Sequence, residues 1–167
     1  MVAPRIILRQ PTHCVAFWQN VVISKIEGHV DAKGVRGMVD SYGQLYETYP
    51  RGIVGLTVLS TSLKVGSSDT HAEAKRGMIE LRGKLLHVAI VIEDKGILAS
   101  LLRAVIRTLN SVARHSLLSL AADLDEAVRA VAPHVEVRDA RSKQQIAAEL
   151  LEAVAAMRGA GSARPVA

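Results

Sequence analysis

The sequence is poor in cysteine and in aromatic residues. Cys14 is the single cysteine, which excludes a disulfide within the chain and any zinc site that needs two thiolates. Aromatic residues make up 3% of the 167 residues, and none follows Tyr49. An aromatic stacking platform for bases or sugars is therefore not expected outside the N-terminal third. The five aromatic residues are Phe17, Trp18, Tyr42, Tyr46 and Tyr49.

The sequence also contains no apolar run long enough to cross a bilayer and no signal-peptide pattern. With its lone cysteine, this predicts a soluble cytoplasmic protein. The net charge of +5 comes from lysines and arginines that are scattered singly. Nucleic-acid binding needs a basic patch, so this pattern argues against it. One grouping, Arg103, Arg107 and Arg114, would share a helical face and form a small basic patch.

Motifs for catalysis and for metal binding are absent as well. None of the six histidines has a second ligand at helical i+3 or i+4 spacing, and no nucleotide fingerprint or serine-nucleophile motif occurs. We therefore predict no metal, no cofactor and no catalytic residue. One enzymatic alternative stays open, with Glu93, Asp94 or a histidine acting at the end of a central strand, where α/β folds bind ligands.

Apolar periodicity predicts a chain in which strands and helices alternate. The turn Gln19-Asn20 divides the first strand region, and hydroxyl or carboxylate side chains mark the helix starts. Thr70 and Glu73 have the spacing of a capping box. The predicted strands lie at 13–27, 53–60, 85–93 and 116–121, and the predicted helices start near Asp31, Thr70, Ile97, Asp123 and Ser142.

This order predicts an α/β fold with a single mixed, mostly parallel sheet of four to five strands, flanked by about four helices. We expect an N-terminal extension at 1–12, the α/β domain at 13–134, an amphipathic C-terminal helix at 135–158 and a disordered tail at 159–167. The C-terminal helix must cover its apolar stripe, either on its own domain or on a second chain. A homo-oligomer would form through Ile146, Leu150, Val154 and Met157.

The order of these segments resembles the STAS-like superfamily, which includes the anti-sigma-factor antagonists. The resemblance covers residues 15–132. It depends on the Ser-Ser loop before the second helix, the strand Leu-Leu-His-Val-Ala-Ile-Val-Ile-Glu at 85–93, and the acidic start of the helix at Asp125-Glu126-Ala127-Val128. The resemblance implies a STAS-like fold and a regulatory, non-catalytic module that binds another protein.

In that superfamily a serine at the start of the helix after the central strand is phosphorylated, in a motif in which an aspartate precedes it. Ser67 and Ser68 fall at about that place, but here the acid, Asp69, follows them. The resemblance thus implies a phosphate- or anion-binding loop at these three residues. The partner, a kinase-like or sigma-regulating protein, would contact the following helix. The residues expected on that partner surface are Thr70, Glu73, Arg76 and Glu80.

A second function remains open. A chain of this fold could carry a small apolar ligand or a lipid in a pocket between the sheet and its helices. A co-purified ligand would favour such a carrier, whereas a tightly packed interior would argue against it.

Overall fold

The computed structural model describes residues 3–60, 67–93, 100, 103–104, 106–108, 111, 117–137 and 141–159. These residues form an α/β fold with one six-stranded mixed sheet between two layers of helices. The strands are β1 (Arg5–Gln10), β2 (His13–Trp18), β3 (Val21–Ile26), β4 (Ile53–Leu59), β5 (Leu85–Ile92) and β6 (Leu118–Ala121). The helices are α1 (Ala32–Thr48), α2 (Ser68–Glu80), α3 (Leu124–Val131) and α4 (Lys143–Gly159), with a 3-10 turn at Ala132–His134.

Two predicted segments fall partly outside the described residues. The described residues between 100 and 111 are helical, in agreement with the helix predicted from Ile97. Asp94 and most of the predicted tail, from residue 160 onward, lie outside the described part of the chain.

The strands follow one another across the sheet in sequence order, from β1 at one edge to β6 at the other. Strands β1, β2 and β3 are antiparallel neighbours, and β3 to β6 are all parallel. The predicted strand count of four to five is therefore wrong, and so is the expected degree of parallel character. Two-residue turns join β1 to β2 and β2 to β3, and such short connections can only join antiparallel strands.

The additional strand is β1, which lies in the segment predicted as an N-terminal extension. It pairs with β2 and carries a register irregularity between Ile6 and Leu8. As an edge strand it buries few of its side chains. The exposed residues of the strand are Arg5, Ile6, Arg9 and Gln10. Such a strand lacks the apolar alternation that identifies a half-buried strand in a sequence.

The two faces of the sheet are covered by different parts of the chain. Phe17 and Val22 pack with α1 and with Ile106 on one face. Trp18 and Ile23 pack with α3 and α4 on the other. Adjacent residues of one strand contribute to opposite cores because successive side chains of a strand alternate between the faces.

The C-terminal helix α4 folds back onto its own sheet. Its apolar stripe is at most 4% exposed and belongs to the core that contains Trp18. The helix thus covers its apolar stripe on its own domain, which is one of the two contacts that the sequence predicts. Ile146, Leu150, Val154 and Met157 are buried within the single chain, and a homo-oligomer through them stays a prediction.

The starts of α3 and α4 confirm two predicted caps. The Asp123 carboxylate accepts the Glu126 N–H at 2.8 Å, and the Glu126 side chain accepts the Ala122 N–H at 2.6 Å. The Ser142 hydroxyl accepts the Gln145 N–H at 3.2 Å, and the Gln145 amide oxygen accepts the Ser142 N–H at 2.8 Å. The Ser142–Gln145 pair is a reciprocal capping box. At α3 the Glu126 side chain accepts from Ala122, the residue before the cap, and not from Asp123 itself.

Candidate functional site

The predicted serine loop lies at the amino end of α2. Ser67 is the N-cap residue, and Ser68 and Asp69 are the first two residues of the helix. All three are exposed. The Ser67 hydroxyl accepts the Thr70 N–H at 3.4 Å and contacts the Thr70 hydroxyl at 3.1 Å. The sequence therefore predicted correctly that this segment begins a helix.

The predicted capping box of Thr70 and Glu73 is wrong. Three hydroxyl residues, Ser67, Ser68 and Thr70, compete for the cap position. The helix starts at the earliest of them, so Thr70 lies inside the first turn and is 8% exposed. The Glu73 carboxylate does not return to the helix start and instead pairs with Arg36 and Arg76.

The electrostatics of the helix start suit an anion. The first hydrogen bond within α2 runs from the His71 N–H to the Ser67 carbonyl, so the amides of Ser68 and Asp69 precede the hydrogen-bonded ladder. These amides and the helix dipole give the region a positive partial charge. The Asp69 carboxylate lies in the first turn of the helix and already interacts favourably with this positive partial charge.

The predicted partner surface is largely used for contacts within the chain. Arg36 of α1 reaches Glu80 at 2.8 Å and Glu73 at 3.4 Å on α2, and it also pairs with Asp40 at 2.9 Å. Hydrogen bonds to Glu80 and Asp40 raise the pKa of the Arg36 guanidinium, and the hydrogen bond from Arg36 lowers the pKa of Glu80. The network fastens α2 to α1.

Of the four residues predicted to face a partner, two are accessible. The Arg76 side chain is 67% exposed and the Glu80 side chain 42%, whereas that of Glu73 is 11% exposed. Thr70 is buried. The accessible part of α2 therefore consists of the serine loop and the outward side of its later turns, where Ile79 is 51% exposed.

The predicted basic patch lies only partly in the described region. Arg103 and Arg107 are helical and exposed, and Arg114 lies outside the described residues.

A histidine cluster that the sequence did not reveal lies near the start of β5. The rings of His87 and His134 stack with centroids 5.5 Å apart, and Nε2 of His87 is 2.8 Å from the Ser119 hydroxyl oxygen. Burial lowers the pKa of His87, and the neighbouring His134 lowers it further. The three residues come from β5, the 3-10 turn and β6, so no local motif could have indicated their contact.

Another histidine, His13, begins β2 and is buried. Its Nδ1 lies 3.2 Å from the Thr12 hydroxyl oxygen. Burial lowers the pKa of His13, while the nearby Asp31 carboxylate opposes that shift. Within the described residues, no group of three or more histidine, cysteine, aspartate or glutamate side chains is arranged to hold a metal ion.

Surface clefts accompany these elements. A cleft of about 530 Å³ lies between α1 and the end of α2, where Arg36 and Glu80 contribute to its lining. A second cleft, of about 630 Å³, lies between α3 and α4, with Val128 and Leu151 in its wall. Strand residues line neither of these two clefts. His13 and Cys14 of β2 line a third cleft, of about 350 Å³, which Met157 of α4 also borders.

A scan against models of known protein families and a search of curated proteins both find no match to this chain. Among the described residues, no helix has the length and apolar character needed to cross a membrane.

Proposed function

We propose that this chain is a non-catalytic regulatory module that binds another protein and is controlled by phosphorylation of the loop Ser67–Asp69. The observation that carries the proposal is that two exposed serine hydroxyls stand at the amino end of a 13-residue helix. A phosphate there would add about two negative charges next to free backbone N–H groups. The resemblance to the anti-sigma-factor antagonists supports the same conclusion, as does the α/β architecture.

In this proposal α2 transmits the modification to a partner. Its contacts with Arg36 fix the helix on α1, so a new charge at Ser67 or Ser68 changes the docking surface without moving the helix. A phosphate close to Asp69 adds like-charge repulsion, while the helix amides attract it. We propose that the partner is a kinase-like or sigma-regulating protein and that the two proteins bind each other in the cytoplasm.

The test compares charge variants of the intact chain as baits in extracts of its native host. Ser67→Asp retains a good N-cap, because aspartate caps helices as well as serine does. Ser111→Asp is the matched control, since Ser111 is an exposed helical serine elsewhere in the chain. We expect Ser67→Asp or Ser68→Asp to change recovery of a kinase-like or sigma-regulating protein at least about fivefold, against no change for the control.

Phosphopeptide mapping of the chain isolated from the same cells completes the test. Phosphate on Ser67 or Ser68 supports the proposal. Absence of phosphate on both, together with Ser67→Asp and Ser68→Asp baits that behave as the unmodified bait, would overturn it.

A further inference from the structure

The contact between His87 and Ser119 joins a base to a nucleophile. Nε2 of His87 lies 2.8 Å from the Ser119 hydroxyl oxygen. A serine hydroxyl is a weak nucleophile by itself, but an imidazole within hydrogen-bond distance can take its proton as the oxygen attacks. The pair therefore has the two groups that covalent chemistry at a serine requires.

The register of the last two strands produces this contact. β5 and β6 are parallel neighbours, with Val88 opposite Leu118 and Ala89 opposite Ser119. Because side chains alternate between the two faces of a sheet, His87 lies on the same face as Ala89 and Ser119. The distance between base and nucleophile is thus set by strand pairing and does not depend on the conformation of a surface loop.

The imidazole of His134 fixes the plane of the His87 ring. The two rings stack at an interplanar angle of 17°, with centroids 5.5 Å apart. The turn that carries His134 is itself anchored, because the His134 carbonyl oxygen accepts from Nδ2 of Asn20 at 3.1 Å. The base of an activated serine is usually oriented by a third group, and His134 supplies that group here.

The His87 side chain is mainly neutral at neutral pH. Burial and the neighbouring His134 both lower its pKa below the ordinary value of 6.5. A neutral imidazole that carries its proton on Nδ1 has a lone pair on Nε2, which accepts the Ser119 hydroxyl. This protonation state is the one that nucleophilic attack by the serine needs.

The pair can be reached from solvent. Ser119 and His87 are partly exposed, and His134 is exposed. Ser119 lies on β6, the last of the described strands at its edge of the sheet. An uncharged hydroxyl and a neutral imidazole offer no cation to a phosphoryl group, so the electrophile that suits them is a neutral carbonyl carbon.

We infer that Ser119 is an acyl-acceptor site, whose hydroxyl is activated by His87 toward activated esters. Oγ of Ser119 forms a bond to the ester carbonyl carbon while its proton passes to Nε2 of His87. The bond from the carbonyl carbon to the leaving oxygen breaks, and the leaving alcohol takes the proton from His87. The products are an O-acylserine and a free alcohol, so no oxidant or reductant is needed.

This modification goes beyond the proposed function and is compatible with it. The step needs no turnover, because the acyl group remains on the chain. Ser119 is a residue of β6 and does not belong to the loop Ser67–Asp69 at the start of α2. Failure of one proposal therefore leaves the other intact.

The experiment treats the full chain with p-nitrophenyl acetate at neutral pH. Release of p-nitrophenolate is followed by absorbance, and the acetylated residue is mapped by peptide mass spectrometry. We expect a burst of about one p-nitrophenolate per chain and an acetyl group on Ser119. Ser119→Ala should abolish the burst, whereas Ser111→Ala, at an exposed helical serine, should retain it.

Variants of His87 distinguish an activated serine from one that is merely exposed. The amide of His87→Gln can still hydrogen-bond the Ser119 hydroxyl but cannot take its proton, so acetylation should slow at least about a hundredfold. His71→Gln, at an exposed histidine of α2, should leave the rate within about twofold. In the unchanged chain the rate should rise with pH and be half-maximal below pH 6.5, because neutral His87 is the active form.

His134 is a positioning residue in this scheme. His134→Ala removes the stacked ring and should slow acetylation about tenfold. It should also move the half-maximal rate to higher pH, because His134 lowers the pKa of His87. His134→Phe retains a ring for stacking and should recover most of the rate. Unchanged rate and pH profile in His134→Ala would overturn this role.

Three outcomes would overturn the inference itself. The first is acetylation of lysines or other histidines with none on Ser119 of the unchanged chain, a result that depends on no variant. The second is an undiminished burst in Ser119→Ala. The third is an unchanged rate in His87→Gln, which would mean that the His87 ring only donates a structural hydrogen bond to Ser119. Circular dichroism spectra verify that each variant is folded.

Discussion

The backbone N–H of Glu136 donates to Oδ1 of Asn20 at 2.8 Å, across 116 residues of sequence. The Nδ2 group of the same asparagine donates to the carbonyl oxygens of Gly52 and His134, each at 3.1 Å. One buried side chain thus joins the β2–β3 turn, the start of β4 and the segment between α3 and α4. All three of its hydrogen bonds go to backbone groups, so the position requires a side chain that both donates and accepts hydrogen bonds.

Asn20→Ala should therefore destabilise the fold severely. It leaves the Glu136 N–H and two carbonyl oxygens without their partner, and we expect a loss of about 2–4 kcal/mol in the free energy of unfolding, measured by urea denaturation. Asn20→Asp should be at least as harmful, because a carboxylate would face the two carbonyl oxygens. Gln44→Ala, an exposed amide on α1, should change stability by less than about 0.5 kcal/mol. Equal stability of the Asn20 and Gln44 variants would contradict the structural role of Asn20.

Two glycines should respond to alanine in opposite directions. A Cβ atom at Gly55 of β4 would collide with the Tyr42 hydroxyl and lie 2.8 Å from a methyl group of Val88. Gly55→Ala should cost about 1–3 kcal/mol through overpacking. At Gly43 of α1 a Cβ atom meets nothing within 4 Å, so Gly43→Ala should stabilise the helix by about 0.5–1 kcal/mol. Thermal denaturation of both variants tests the two predictions. A Gly55→Ala protein as stable as the unchanged chain would contradict the predicted overpacking, because the core would then accommodate the added methyl group.

Stability should fall as the pH drops below neutrality. The pKa of His87 is lower in the folded chain than its ordinary value of 6.5, so the unfolded state binds the proton more readily. The stabilisation by neutral His87 is thus complete above about pH 6.5 and is lost as the pH falls toward the folded-state pKa. His13 contributes in the same direction because burial also lowers its pKa.

The decisive measurement is the free energy of unfolding of His87→Gln between pH 7 and pH 5. Its slope against pH should be smaller than that of the unchanged chain, because one of the two histidines with a lowered pKa is no longer present. His71→Gln, at an exposed position of α2, should retain the full slope. If the His87→Gln protein retained the full slope, the pH dependence of stability would have to come from groups other than His87.

The two N-cap side chains should have measurable and separate effects on stability. Asp123→Ala and Ser142→Ala each remove the side-chain acceptor of a helix N–H, at α3 and α4 respectively. We expect a loss of about 1 kcal/mol for each, from urea denaturation. Ser111→Ala, an exposed serine within a helix, serves as the control and should be neutral or slightly stabilising. Losses no larger than in the control would mean that these helix starts are held by packing alone.

The sequence predicted best the elements that are buried or capped. The apolar runs of β4 and β5 and the caps at Asp31, Asp123 and Ser142 are confirmed, because each depends on neighbouring residues only. The strand β1 was missed because an exposed edge strand needs little apolar surface. The start of α2 was misplaced by three residues, at Thr70, because its first turn holds several hydroxyl side chains that could each cap it.

The contacts of the candidate site were less predictable. The pairing of Arg36 with Glu73 and Glu80 depends on how α1 packs beside α2, and the stacking of His87 on His134 depends on where the 3-10 turn meets β5. Such pairs are set by tertiary packing and leave no periodic pattern in the sequence. The place of Ser67 and Ser68 at the start of a helix, by contrast, was predicted, and the structure shows that both are exposed there.

The order of the sheet also has a consequence for the synthesis of the chain. One face of the sheet is covered by helices that directly follow the parallel strands. The face that contains Trp18 and Ile23 is covered by helices that begin only at Leu124, and Met157 is the last residue of that core. A nascent chain that has completed β5 therefore still exposes half of its apolar sheet to water. The molecule can close that core only after α4 has left the ribosome, and until then this apolar face stays exposed to other proteins of the cell.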